Sequence, residues 1–218
     1  MPQRALIERR PWLLGSIACA MAYYLLGDSS LGGVYLMGLK GAAIGCLAVY
    51  ALLRHPGADA RLLGTSLAFV ALAVVLIDLD PAWALSLFFG SHLAALALFL
   101  RNRRHNATGS QKGAAVAMLV FVPVIVWAIS RGMPGVGAIF LHALVLGGMT
   151  ASAWLSRFPR YRVGAGAVLA AFAQILAVGA FSDEALGQAA LWLAWPAYYI
   201  GQFLITTGVV QRLRHAPA

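Results

Sequence analysis

The chain alternates long apolar runs with short polar breaks. Most of the runs are about 17–22 residues long, which lets a helix cross a hydrocarbon core of roughly 30 Å. They predict eight helices, over residues 12–26, 33–53, 62–79, 82–100, 114–130, 136–155, 163–181 and 189–210. The breaks carry turn formers: Gly27-Asp28-Ser29-Ser30, His55-Pro56-Gly57, Asp80-Pro81, Arg131-Gly132-Met133-Pro134-Gly135 and Ser182-Asp183-Glu184. The longest break, Asn102 to Gly113, reads as a loop with a flexible polar centre from Asn106 to Gln111. Backbone groups in lipid must be satisfied within the segment, so these runs are helices and not isolated strands. The expected fold is all-α: one polytopic bundle over residues 1–218, without a soluble domain.

One run has a distinctive grammar. Leu85 to His105 reads LSLFFGSHLAALALFLRNRRH, with Phe88 four residues before His92 and a basic cluster at the end. A spacing of four puts the ring and the imidazole on one helix face. The same order returns as YYIGQFLITTGVVQRLRH near the C-terminus. Phe88 and Tyr198, His92 and Gln202, and His105 and His215 are each separated by 110 positions. This offset predicts two four-helix halves. Four is even, so the halves share one orientation and are related by an axis along the membrane normal, with a site expected at their interface near the midplane.

Composition sharpens this picture. Only 11% of residues are charged, against roughly 25% in soluble domains, and the mean hydropathy is +0.82. The net charge of +9 would suit a nucleic-acid binder, but its placement says otherwise. Arg4, Arg9, Arg10, Arg54, Arg61, Arg101, Arg103, Arg104, Lys112, Arg157, Arg160, Arg162, Arg212 and Arg214 all fall at the N-terminus, in even-numbered loops or in the C-terminal tail. The odd-numbered loops hold Arg131 alone, and Lys40 is inside a helix. The positive-inside rule then places both termini in the cytoplasm, with the chain in a bacterial inner membrane. The basic loops meet anionic lipid and not nucleic acid. The first run, with Ala18-Cys19-Ala20, has some character of a signal peptide. Its apolar stretch continues to Leu26, and a retained helix keeps the charge alternation. Cys19 and Cys46 lack metal-ligand spacing and read as apolar packing residues. No metal or cofactor is implied.

Candidate chemistry rests on the polar groups inside the runs, since ionisable groups in a bilayer usually face the bundle interior or a wet cavity. They are Lys40, His92, His142, Gln174 and Gln202, with Tyr198 and Tyr199 a turn above Gln202. Each also has a structural reading. The histidines and glutamines can simply bond a neighbouring helix, Lys40 can snorkel, and the tyrosines can pack or anchor at the interface. Asp78, Asp80 and Asp183 can be solvated helix ends, and Ser66 can bond its own backbone. Gly41 and Gly45 form a small-residue packing motif. There is no HExxH, G-x-S-x-G, P-loop or buried acid pair.

Lys40, Phe88-x-x-x-His92, HALVLGGMTASA from His142 to Ala153 and Tyr198-Tyr199-x-x-Gln202-x-Leu204-Ile205 together resemble the YhhN-like lysoplasmalogenase family of eight-helix membrane proteins. The likeness spans most of the chain from Lys40 onward. It implies hydrolysis of the vinyl ether bond of a lysophospholipid to a fatty aldehyde and a glycerophospho-alcohol. It also implies His92 or His142 as proton donor and Tyr198 with Gln202 as holders of water. Lys40 would be the phosphate anchor, with Tyr199, Gln174, Phe88 and Asp78 lining the substrate. The family pattern usually carries Gly-Asp in helix three and Ser-Asp in helix seven. Here the region around Ala71-Leu72-Ala73 is apolar and the helix-seven equivalent is Ala173-Gln174. That departure keeps open a non-catalytic lipid-binding or transport protein.

Overall fold

The computed structural model describes residues 10–27, 29, 32–181 and 184–215. Arg4, Arg9, Asp28, Ser30, Ser182 and Asp183 lie outside the described residues. Among those described there is no strand, and eight α-helices follow one another: α1 (Arg10–Leu26), α2 (Gly33–Arg54), α3 (Ala58–Leu76), α4 (Pro81–Arg101), α5 (Gly109–Ile129), α6 (Val136–Leu155), α7 (Ala165–Ala180) and α8 (Glu184–His215). Six segments are long and apolar enough to cross a membrane: α2 to α6, and Arg160–Ala180. That complement marks an integral membrane protein. The helix α1 has 17 residues, about 25 Å at 1.5 Å per residue, and falls outside those six. The helix α8 has 32 residues, with Pro196 inside it.

Several helix ends lie beyond the polar breaks that the sequence suggests. Thr108 accepts from the Gln111 backbone at 3.4 Å, and the Gln111 side chain accepts from the Thr108 backbone at 3.1 Å. This reciprocal cap starts α5 at Gly109, inside the stretch expected to be a flexible loop. Asp80 accepts from Ala82 and Trp83 at 2.9 and 3.2 Å and starts α4 at Pro81, where a missing N–H costs nothing. The arginine-bearing connection before α7 is a π-helical turn, Arg160–Gly164, and not an open loop.

The chain divides into two compact units, 1–91 and 92–218, with the boundary inside α4. In the first unit α1 packs on α2 and α2 on α3. Gly41 marks the α2–α3 crossing: a Cβ there would lie 2.7 Å from Val75 Cγ2, whereas at Gly45 it would meet open space. Only the first glycine of that motif is a packing glycine. Ser66 and Ser91 place their buried hydroxyls 3.1 Å apart, so Ser66 bonds another helix where its own backbone was expected.

In the second unit α5 packs on α6 and α7 on α8. At the α7–α8 contact, a Cβ on Gly166 would lie 2.7 Å from the Gly201 carbonyl, and one on Gly201 would lie 2.7 Å from the Gly166 carbonyl. Facing glycines let the two backbones approach directly, which is how helices associate when lipid offers no hydrophobic drive. The ends of α4 and α6 are joined by a short antiparallel pairing. Arg104 N–H donates to the Leu155 carbonyl at 3.0 Å, and Arg157 N–H donates to the Asn102 carbonyl at 2.8 Å. Buried Asn102 ties this down, accepting from Arg157 Nε at 2.7 Å and donating to the Leu98 carbonyl at 2.9 Å.

Candidate functional site

Three helices of the second unit each turn one buried stripe inward. On α4 it is His92, Ala95, Phe99 and, just beyond, Asn102. On α6 it is His142, Leu146, Met149 and Ala153, and along the π-helical turn and α7 it is Val163, Ala167, Ala170 and Gln174. Steps of three and four along each helix keep every set on one face. Each stripe carries one polar side chain deep in the span, and the three meet. His142 Nε2–H donates to Gln174 Oε1 at 2.9 Å, and Gln174 Nε2–H donates to His92 Nε2 at 2.9 Å. The two imidazoles stand edge to face with centroids 5.0 Å apart. His92 is 1% exposed, His142 5% and Gln174 9%.

The chemistry follows from the amide. A carboxamide has one accepting end and one donating end. Bridging two Nε2 atoms therefore requires one to carry hydrogen and the other to be bare. In this arrangement His142 is protonated at Nε2, and a neutral His92 carries its hydrogen at Nδ1. Turning the amide over exchanges the roles of the rings. The group can hold a single extra proton and keep both hydrogen bonds; a second would break one. Such a site can deliver one proton and take it back.

The helix α8 places Tyr198 and Gln202 one turn apart on its buried side. Tyr199 stands between Trp195 and Phe203, with ring centroids 6.2 Å from each. Its role in the structure is as the centre of an aromatic ladder.

In the first unit Lys40 is 6% exposed. Its ammonium is paired with the Asp78 carboxylate and lies 5.2 Å from the centre of the Tyr23 ring. The pair explains how a lysine can be held in an apolar helix: the charge is compensated there and does not need to snorkel. Asp78 keeps 44% of its side chain exposed, so the pair is open on the carboxylate side. Phe88 is half-buried on α4.

Of the sequence-predicted residues, then, the structure joins His92, His142 and Gln174 directly and Lys40 to Asp78, while Tyr198 and Gln202 share the buried side of α8. The central part of Gln174 had no signature in the sequence beyond a lone amide in an apolar helix. Tyr23 and Asn102 were not singled out at all. The only cue for Tyr23 is an aromatic near the end of α1, and for Asn102 a polar residue one step past α4.

A family model describing the YhhN family matches residues 35–209, which run from the start of α2 to near the end of α8. Comparison with curated proteins gave no match, and neither did comparison with solved structures.

Proposed function

The chain belongs to the YhhN family, and on that premise we propose that it is a membrane hydrolase of the vinyl ether bond in lysoplasmalogens. The observation that carries the reading is the buried His92–Gln174–His142 bridge. Vinyl ether hydrolysis needs a proton placed on the distal alkene carbon. The C=C pair forms the new C–H bond, and a cation develops on the other alkene carbon, which bears the ether oxygen and is stabilised by it. Water adds to that carbon and its proton goes to the site's base. The hemiacetal then expels the alcohol, so one water is consumed and a fatty aldehyde and a glycerophospho-alcohol leave. A histidine pair that holds one mobile proton suits both the donation and the return. In this proposal Tyr198 and Gln202 orient the water, and Tyr199 supplies apolar wall. Lys40 is the phosphate anchor, its charge shared with Asp78, and Phe88 contacts the chain.

Two features of membrane placement belong to the same reading. All eight helices cross the membrane, and both termini lie in the cytoplasm, with the substrate drawn from the surrounding inner-membrane lipid. A second reading has a specific observation in its favour. Gln174 occupies the place where the resemblance implies an aspartate, and a carboxamide cannot itself donate a proton as an acid. The chain would then bind or move lipid without cleaving it. Purified protein incubated with lysoplasmalogen, with the aldehyde trapped as a hydrazone, separates the two. Aldehyde above the protein-free control supports the hydrolase; lipid retention without aldehyde supports the binder.

A further inference from the structure

A second feature of the 92–218 unit is an open apolar groove of about 270 Å³, just under the lower end of the size range of ligand sites. Leu96 and Leu100 of α4, Leu119 of α5 and Leu155 of α6 wall it, and Gly148 is on its floor. Arg103 stands at the end where α4 and α6 finish. The antiparallel pairing of Arg103 with Ser156 fixes that end, so the groove is preformed. Three nearby cations are engaged: Arg157 with Asn102, Arg160 over the Trp154 ring and Arg162 with Gln211. The Arg103 side chain is exposed and has no partner among the described residues. An apolar slot in a membrane-spanning helix group therefore ends at an uncompensated guanidinium.

We infer that this groove is a binding site for an anionic two-chain phospholipid, with one acyl chain along the leucines and the phosphate on Arg103. A long apolar slot selects an acyl chain. An unpaired cation at its polar end favours a net negative head group over a zwitterionic one, whose own ammonium would face the guanidinium. The site is distinct from the histidine bridge. Nine residues of α4 separate His92 from Arg101 at the end of the helix, about 14 Å at 1.5 Å per residue, and Arg103 lies two residues beyond that end. A phosphate at Arg103 therefore holds the glycerol end of the lipid far from the imidazoles. The inference stands whether or not the chain is a hydrolase.

Native mass spectrometry of the detergent-purified full chain tests it, with phosphatidylglycerol and phosphatidylcholine added in turn. One phosphatidylglycerol should be retained at concentrations that leave phosphatidylcholine unbound. Arg103→Gln should weaken that retention roughly fivefold, the effect of about one interfacial basic charge, while Arg61→Gln should leave it unchanged. Gly148→Leu should abolish it by filling the slot. A Cβ at Gly148 would meet only Leu119 Cδ1, at 3.9 Å, so the backbone tolerates the substitution, and an unchanged melting temperature would verify this. Equal retention of both lipids, an equal loss with Arg61→Gln, or wild-type retention by Arg103→Gln or by folded Gly148→Leu would each overturn the site.

Discussion

His92 and His142 keep their shared bridge only while one Nε2 carries hydrogen and the other does not, and this constraint can be measured. In 15N spectra of histidine-labelled protein, the two buried rings should show one protonated and one bare Nε2. Gln174→Glu replaces the donor with a second acceptor, so both Nε2 atoms should become protonated; spectra unchanged from wild type would refute the bridge. His92→Gln keeps a polar group of similar reach but removes the titrating ring. If His92 carries the proton, aldehyde production should fall by about 10²–10⁴-fold while the melting temperature holds. Full activity would make His92 structural and move the acid to His142. Lys40→Met, by contrast, should raise KM for a phosphate-bearing substrate with a smaller effect on kcat. An effect confined to kcat would remove the anchor role. At this scale the sequence displays the ionisable groups well, because a histidine or lysine in an apolar run is conspicuous. It conceals their partners. The Gln174 amide lies 82 positions from His92 and 32 from His142, and no local spacing encodes such a meeting.

Between elements, the contacts that hold the stripes in register are small residues and a single amide. Gly201→Leu would drive a side chain into the Gly166 carbonyl and Ala170, each within about 3 Å of the built Cβ. Helix α7 would have to move, and with it Gln174. A loss of 1–3 kcal/mol is typical for overpacking, and a lowered melting temperature in detergent should accompany an altered histidine spectrum. A stable variant with the wild-type spectrum would show that α7 does not depend on that contact. Helix existence was legible from hydropathy alone, since each run had the length and uniformity of a span. Helix ends were less so. The polar letters around Thr108 and Gln111 resemble a loop, yet they are a capping box: serine, threonine and glutamine satisfy free N–H groups as readily as they fill turns. The π-turn at Arg160–Gly164 was hidden for a related reason, because a basic stretch signals membrane side and not backbone geometry.

For the whole molecule, the central question is whether α1 crosses. Its 17 residues reach about 25 Å, several ångströms less than a typical hydrocarbon core of roughly 30 Å. A short span is tolerated where the bilayer thins or flanking residues snorkel, at fractions of a kcal/mol per ångström. Arg10 and the aromatics at Trp12, Tyr23 and Tyr24 are the kind of flanks that do so. The positive-inside rule predicts the crossing as well, since the N-terminal arginines would share a side with Arg54 and Arg61 only if an even number of spans separates them. The 110-residue offset needs it too, because α1 would be the counterpart of α5. Paired reporters decide the point: a phosphatase active only outside the cytoplasm and a fluorescent protein that matures only inside it, fused in turn to each end. Eight spans predict a silent phosphatase and a bright fluorophore at both termini. A phosphatase signal at the N-terminus alone would leave seven spans, lay α1 along the surface and dissolve the two-half symmetry. A signal at the C-terminus would overturn the positive-inside assignment of α8.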